Sequence, residues 1–262
     1  MAIDTDLNNM NQTGKAHQAA GSDTSLSGVK AVSFDLDDTL WPLEQVILDA
    51  EQKQYDWIKA NAANVANDLD RQQLTRKRID FLKLNPQFYG DVTAMRKHSL
   101  AALFGEYGYS ADEVTRMVED VFDVFYRARS QVTLFDDALQ CLVDLRKQYK
   151  VAAITNGNAD LEIAGIHHLF DDIRCATLES PPKPDIHMFH ACAAALEVAP
   201  VEILHVGDNI ETDVGGGQAA GTLTAWYNPD GLVWPAELDA PTLELSTLAE
   251  LPRLLTDESN RC

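Results

Sequence analysis

Four short runs rich in apolar and β-branched residues punctuate the chain, and each stops at turn-forming residues: KAVSFDLD near 30–37, VAAITNG near 151–157, VEILHVGDN near 201–209 and TLTAWYN near 222–228. Runs of this length bounded by Gly, Asn or Asp predict buried strands. Between them, over 136–148, 159–170 and 185–196, apolar residues recur three and four positions apart, the period of an amphipathic helix. Strands alternating with helices predict an α/β fold built on a doubly wound parallel sheet.

One region breaks the alternation. From 44 to 132 no strand run stands out, only amphipathic helical stretches over 46–60, 68–83, 93–107 and 111–127. About ninety residues of helix is too long for a crossover between neighbouring strands. The pattern predicts a helical cap over 44–132, inserted into a core formed by 29–43 and 133–262, with hinges at the two crossings near Trp41–Glu44 and Arg129–Thr133. Residues 1–28 are polar and poor in large apolar groups, so a disordered tail is expected there.

Charge narrows the partners. Against 21 Lys and Arg stand 41 Asp and Glu, a formal net charge of −20. Such a surface repels nucleic acid and anionic membranes, and an anionic small molecule needs a local positive centre to bind. Cys141, Cys175, Cys192 and Cys262 form no CxxC pair, which fits a reducing cytoplasm. No secretory leader and no apolar run of membrane-spanning length is present, so a soluble cytoplasmic protein is expected, as a monomer or a homodimer.

The chemistry collects at the predicted strand ends, where open parallel sheets bind ligands. The first run ends in Asp35 and Asp37, the second in Thr155-Asn156-Gly157 and the third in Asp208, with Asp213 five residues on; Lys183 sits in the Pro-rich loop SPPKPD. Alternation along a strand puts Asp35 and Asp37 on one side. Like charges about 4 Å apart repel by roughly 4 kcal/mol at an effective dielectric of ~20, so such a cluster calls for a divalent cation. Oxygen-only ligation favours Mg2+ over zinc.

An aspartate aligned with phosphorus can form an aspartyl-phosphate, and Asp35 is the candidate nucleophile. Asp37 is placed to act as general acid and then base. Thr155 and nearby backbone amides can hold phosphoryl oxygens, with Asn156 shaping the loop and Lys183 adding positive charge. An EF-hand does not account for the motif, because Leu40 and Val46 stand where that loop needs Gly and Glu. Gly215-Gly216-Gly217 lacks dinucleotide-binding spacing, and His187 and His190 lack a third zinc ligand.

DLDDT, TNG, KPD and GDNIETD, in that order, resemble the four motifs of the haloacid dehalogenase-like hydrolase superfamily. The resemblance implies a Rossmann-like core and Mg2+ held by Asp35, the Asp37 carbonyl and Asp208, with Asp213 steering Lys183 or a metal-bound water. It also implies that the insertion is the superfamily's helical cap. FDLDDTL, YGDVTAMR, RSQV, VAAITNGNA and EILHVGDNIETDVGG are together similar to bacterial phosphatases of flavin biosynthesis. That similarity implies 5-amino-6-(5-phospho-D-ribitylamino)uracil or flavin mononucleotide as substrate. By their chemistry Phe88 or Tyr89 of the cap can stack on a flat ring, and Arg96 can meet its oxygens. The alternatives are a broad sugar-phosphate or nucleotide phosphatase, a phosphomutase, a 2-haloacid dehalogenase and a binding module without turnover.

Overall fold

The computed structural model describes residues 26–259, and side chains as far as 256. The tail expected over 1–28 lies outside the described residues up to 25. Leu26–Gly28 forms a 3-10 turn whose Leu26 is buried in the core.

Six strands form one sheet: β1 (Ala31–Phe34), β2 (Lys150–Thr155), β3 (Asp172–Cys175), β4 (Ile203–Gly207), β5 (Leu223–Tyr227) and β6 (Leu243–Leu245), in the order β3-β2-β1-β4-β5-β6. Every pairing is parallel, with Val32 of β1 opposite Val151 of β2 and Leu204 of β4. The order runs outward in both directions from the boundary between β1 and β4, and a crevice opens at the strand ends on such a boundary.

Alternation along the strands supplies both faces. Val32, Phe34, Val151, Ala153, Leu204 and Val206 face helices α6 (Ala138–Leu145) and α9 (Leu251–Ser259). Ala31, Ala152, Ile154 and Ile203 face α7 (His187–Ala195), with the short α8 (Gly216–Ala220) beside it. Burial of one large apolar side chain contributes about 1.5–3 kcal/mol, so these two layers hold the sheet. The doubly wound parallel sheet expected from the sequence is present.

Two strands and one helix depart from the sequence reading. β3 is a half-exposed edge strand reading DIRC, and β6 is three residues long; neither offers an apolar run to recognise. The helix expected over 159–170 is a single turn followed by a 3-10 turn at His167–Leu169. Gly165 adopts φ +77, and the amides of Ile166 and His167 both close on the Leu161 carbonyl, which ends the turn.

Between β1 and β2 lie α1 (Leu43–Asn61), α2 (Ala63–Asp68), α3 (Arg71–Leu84), α4 (Val92–Glu106) and α5 (Ala111–Arg129). Local chemistry starts three of them. Asp70 and Gln73 form a reciprocal cap on α3, Ser110 and Glu113 do the same on α5, and the Asp91 carboxylate accepts from Ala94 N. Val118, Val121, Phe122, Phe125 and Ala128 make one buried face of α5, which packs along α1. On α1 the buried face carries Val46, Ala50 and Ile58, but also the polar Glu51 and Gln54.

Candidate active site

The chain leaves β1 in a tight reversal. Asp35 N donates to Val206 O at 2.8 Å, extending the ladder by one residue, and Asp38 then takes φ +59 so that its amide reaches Trp41 O at 2.8 Å. This loop turns the Asp35 and Asp37 carboxylates into one cavity of about 440 Å³, which Thr155, Asn156 and Asp208 also line.

Each carboxylate is held differently. Lys183 Nζ lies 2.7 Å from Asp35 Oδ1 and 2.5 Å from Asp213 Oδ1, bridging the two. Asp37 Oδ1 accepts from Trp41 Nε1 at 2.9 Å, and its Oδ2 pairs with Arg129 Nη2 at 2.5 Å. Asp208 Oδ1 accepts from Thr39 Oγ1 at 3.1 Å, and the same hydroxyl accepts from Asp208 N. Asp213 Oδ2 accepts from Asn209 N at 3.0 Å.

Asn156 joins two of the loops. Its Oδ1 accepts from Lys183 N at 2.7 Å while its Nδ2 donates to Lys183 O at 2.9 Å, so the strand-two loop grips the lysine's backbone. Thr155 Oγ1 accepts from Gly157 N at 2.9 Å. The close approach here requires glycine: a Cβ on Gly157 would lie 2.4 Å from Asp37 Oδ2 and 2.8 Å from Arg129 Nη2. Gly207 is equally confined, since a Cβ there would lie 2.3 Å from the Asp213 carboxyl.

Burial and neighbouring charge push these groups in opposite directions. Burial pushes Asp35 up to about 8 despite Lys183, with Asp213 and Asp37 adding to the rise. Asp208 is raised to about 6 by burial and by Asp213. Burial also raises Asp37, against the pull of Arg129. For Asp213 burial is outweighed by Lys183, which holds the carboxyl well below the usual range. Lys183 is buried too, yet Asp213 and Asp35 lift it above its ordinary value.

The carboxylate excess fits a hard cation. Asp35, Asp208 and Asp213 each offer an oxygen within 4.8 Å of the others. Asp213 is engaged at both oxygens, so Asp35 and Asp208 are the carboxylates left for a metal. The set is oxygen only, the donor type of Mg2+.

Sequence reasoning did not single out several residues of the cavity. Arg129 entered as part of a crossing and of the RSQV stretch, with no role assigned, and as the last residue of α5 it carries no local signal for pairing with Asp37. Arg78, Met95, Phe125 and Asn158 also line the cavity. Buried beneath it, His205 Nδ1 lies 2.9 Å from Ser33 Oγ and its Nε2 3.4 Å from Asp213 Oδ1. Of the three cap residues named from the sequence, Arg96 lines the cavity. Phe88 stacks on His98 at 4.4 Å and on Phe81 at 5.9 Å, and Tyr89 is 77% exposed; both lie outside the cavity lining.

A family model described as haloacid dehalogenase-like hydrolase matches residues 29–221. The chain belongs to this hydrolase family. Among proteins similar to this hydrolase, 5-amino-6-(5-phospho-D-ribitylamino)uracil phosphatase YigB of Escherichia coli is 32% identical, over 88% of this chain and 98% of that protein. Human N-acylneuraminate-9-phosphatase is 29% identical, over 88% and 95% respectively. A solved structure described as a 2-haloacid dehalogenase from Pseudomonas syringae superimposes with a TM-score of 0.82 at 33% identity, covering 87% of this chain and 99% of its own. Haloacid dehalogenase-like hydrolases therefore surround this chain in sequence and in fold. Among the described residues, no helix is long and apolar enough to cross a membrane.

Proposed function

We propose that this hydrolase is a Mg2+-dependent phosphomonoesterase working through an aspartyl-phosphate on Asp35. One observation carries the choice over the dehalogenase reading: Asp37, two residues on, lines the same cavity as Asp35. A departing halide needs no proton, whereas an alkoxide does, so a general acid beside the nucleophile has a role only in phosphate-ester cleavage.

The steps balance on these residues. A carboxylate oxygen of Asp35 attacks phosphorus as the bond to the ester oxygen breaks, and Asp37 gives that oxygen its proton. Asp37 then takes a proton from the water that attacks the phosphorus of the aspartyl-phosphate, releasing phosphate and restoring Asp35. Lys183 keeps Asp35 oriented, and Thr155 with the loop amides holds phosphoryl oxygens. Asp35, the Asp37 carbonyl and Asp208 would hold Mg2+, which supplies charge neutralisation for the phosphoryl group. Asp213 steers Lys183, and the cap closes over the site to exclude bulk water.

The similarity to YigB supports 5-amino-6-(5-phospho-D-ribitylamino)uracil as substrate, in riboflavin biosynthesis, with flavin mononucleotide as a second flavin-type candidate. The range of phosphatases at comparable identity supports a second reading, a broader sugar-phosphate and nucleotide phosphatase. Cys141, Cys175 and Cys192 are free, which supports a reducing cytoplasm. The test is release of inorganic phosphate from a panel of monoesters with Mg2+ and with EDTA, beside chloride release from 2-chloropropionate. Phosphate release abolished by EDTA is the expected result. Chloride release with no phosphate release from any ester would overturn the reading.

A further inference from the structure

Part of the cavity wall differs in character from the carboxylates. There Arg78 of α3 and Arg96 of α4 line it together with Ile47, Met95 and Phe125. Arg96 is buried at 6% exposure, and its guanidinium carbon lies 3.4 Å from the centre of the Phe125 ring, stacked on an aromatic face. Stacking fixes the plane of the guanidinium and so the direction of its donors.

The local charge is unbalanced. Arg71, Arg78 and Arg96 share one carboxylate, Glu51, at 3.7, 2.5 and 3.9 Å. Gln54 Oε1 gives Arg96 Nη1 a neutral partner at 3.0 Å. Nearer the catalytic end, Arg129 is 2% exposed, and its Nη1 finds no hydrogen-bond partner among the described residues. A chain of net charge −20 has thus gathered three guanidiniums around one acid in its cap, two of them on the substrate cavity. Burying that excess is costly unless a ligand completes it. Burial, with Arg78 adding to it, already pulls Arg96 well below its ordinary value against Glu51.

We propose that Arg78 and Arg96 form a second subsite that receives a planar group of two acceptor oxygens at the end of the substrate far from its phosphate. One fixed guanidinium fork matches the two oxygens of a carboxylate, two guanidiniums can each meet one carbonyl of a ring, and Phe125 and Met95 offer apolar contact to the plane beside them. The inference rests on the phosphatase reading and narrows its substrate class: the phosphate enters at Asp35, and the opposite end carries either a carboxylate or a ring with two carbonyls. Neutral polyol phosphates lack this group and are poor substrates.

The experiment uses two matched pairs with the Mg2+-loaded full chain. One pair is 6-phosphogluconate against sorbitol 6-phosphate, which differ in a terminal carboxylate. The other is 5-amino-6-(5-phospho-D-ribitylamino)uracil against ribitol 5-phosphate, which differ in the ring. The expected result is a kcat/KM advantage of about tenfold or more for the planar member of at least one pair, as charge-assisted hydrogen bonds give. The pair that shows it identifies the source of the oxygens. In Arg96→Gln and in Arg78→Gln the ratio within that pair should collapse towards one. Arg78, with 16% of its side chain exposed, carries the test if the Arg96 variant fails to fold. Equal kcat/KM within both pairs, with phosphate still released, would overturn the subsite and leave the phosphatase reading standing. An advantage that survives in both variants would overturn the assignment to these arginines. No phosphate release from any ester would remove the phosphatase reading and the subsite with it.

Discussion

Replacing Lys183 by methionine keeps the side-chain length and removes the charge that two carboxylates share. Lys183 and Asp213 are each 1% exposed, at 2.5 Å from one another, and Asp35 lies on the lysine's other side at 2.7 Å. Removing one partner of a buried pair leaves an uncompensated charge and costs about 3–5 kcal/mol. For a domain of this size 1 kcal/mol moves Tm by about 2–4 °C, so Lys183→Met should lower Tm by roughly 6–20 °C. The loss should also depend on pH. In the wild type Lys183 holds Asp213 below its ordinary value of 3.8, so the stability gained is present above that value and lost as pH falls through the folded one. In the variant the largest influence lowering Asp213 is gone and burial is opposed only by the His205 ring and the Asn209 amide, so Asp213 should rise and the stability lost should grow as pH rises. The gap between the two proteins should therefore be wide at pH 7 and narrow near pH 4. Thermal melts followed by circular dichroism at both pH values measure it, and Lys183→Met/Asp213→Asn should recover part of the pH 7 loss without restoring turnover. A Tm at pH 7 within about 2 °C of wild type, or a gap that widens on acidification, would refute the claim that the lysine's charge holds these carboxylates in place.

Asp35→Asn should release no detectable phosphate, while Asp37→Asn should slow turnover by about 10²–10⁴-fold and accumulate a phosphorylated protein visible by mass spectrometry after acid quench. Gly157→Ala should lower kcat far more than stability, because the new methyl displaces the Asp37 carboxyl and Arg129 at the cavity rather than disturbing the core; steady-state kinetics beside a melt separate the two. Tyr89→Ala should leave the order of substrate preference unchanged, since its side chain is 77% exposed and outside the cavity lining; kcat/KM across the ester panel checks this.

Much of the core was legible from local order. A parallel strand buried on both faces must be an apolar run, and its polar continuation must emerge at the sheet's carboxyl end; Asp35, Thr155 and Asp208 follow directly from that. The left-handed turn at Asp38 is local to its own motif, and the fork of Asn156 on Lys183 joins two motifs already visible in the chain. Edge strands were not legible, because β3 and β6 are short and partly polar, and the turn at Gly165 overrode a helical period.

Tertiary structure alone decided which arginines stand beside the acids of the site and the inserted helices. Arg129 meets Asp37 across 92 residues of sequence, and Glu51 collects arginines from α3 and α4, pairings that no spacing along the chain announces. Helical period tells which face of an inserted helix is apolar, and it gives no information on which polar residue of that face meets a partner. Tyr89 opens a recognisable stretch and Phe88 precedes it, yet the packing of α3 against α4 turns Phe88 onto Phe81 and His98. The strand ends were readable because the hydrophobic effect and the pleat fix them one residue at a time. The charges of α1, α3 and α4 were not, because a buried charge is placed by partners that only the folded chain brings within a few ångströms.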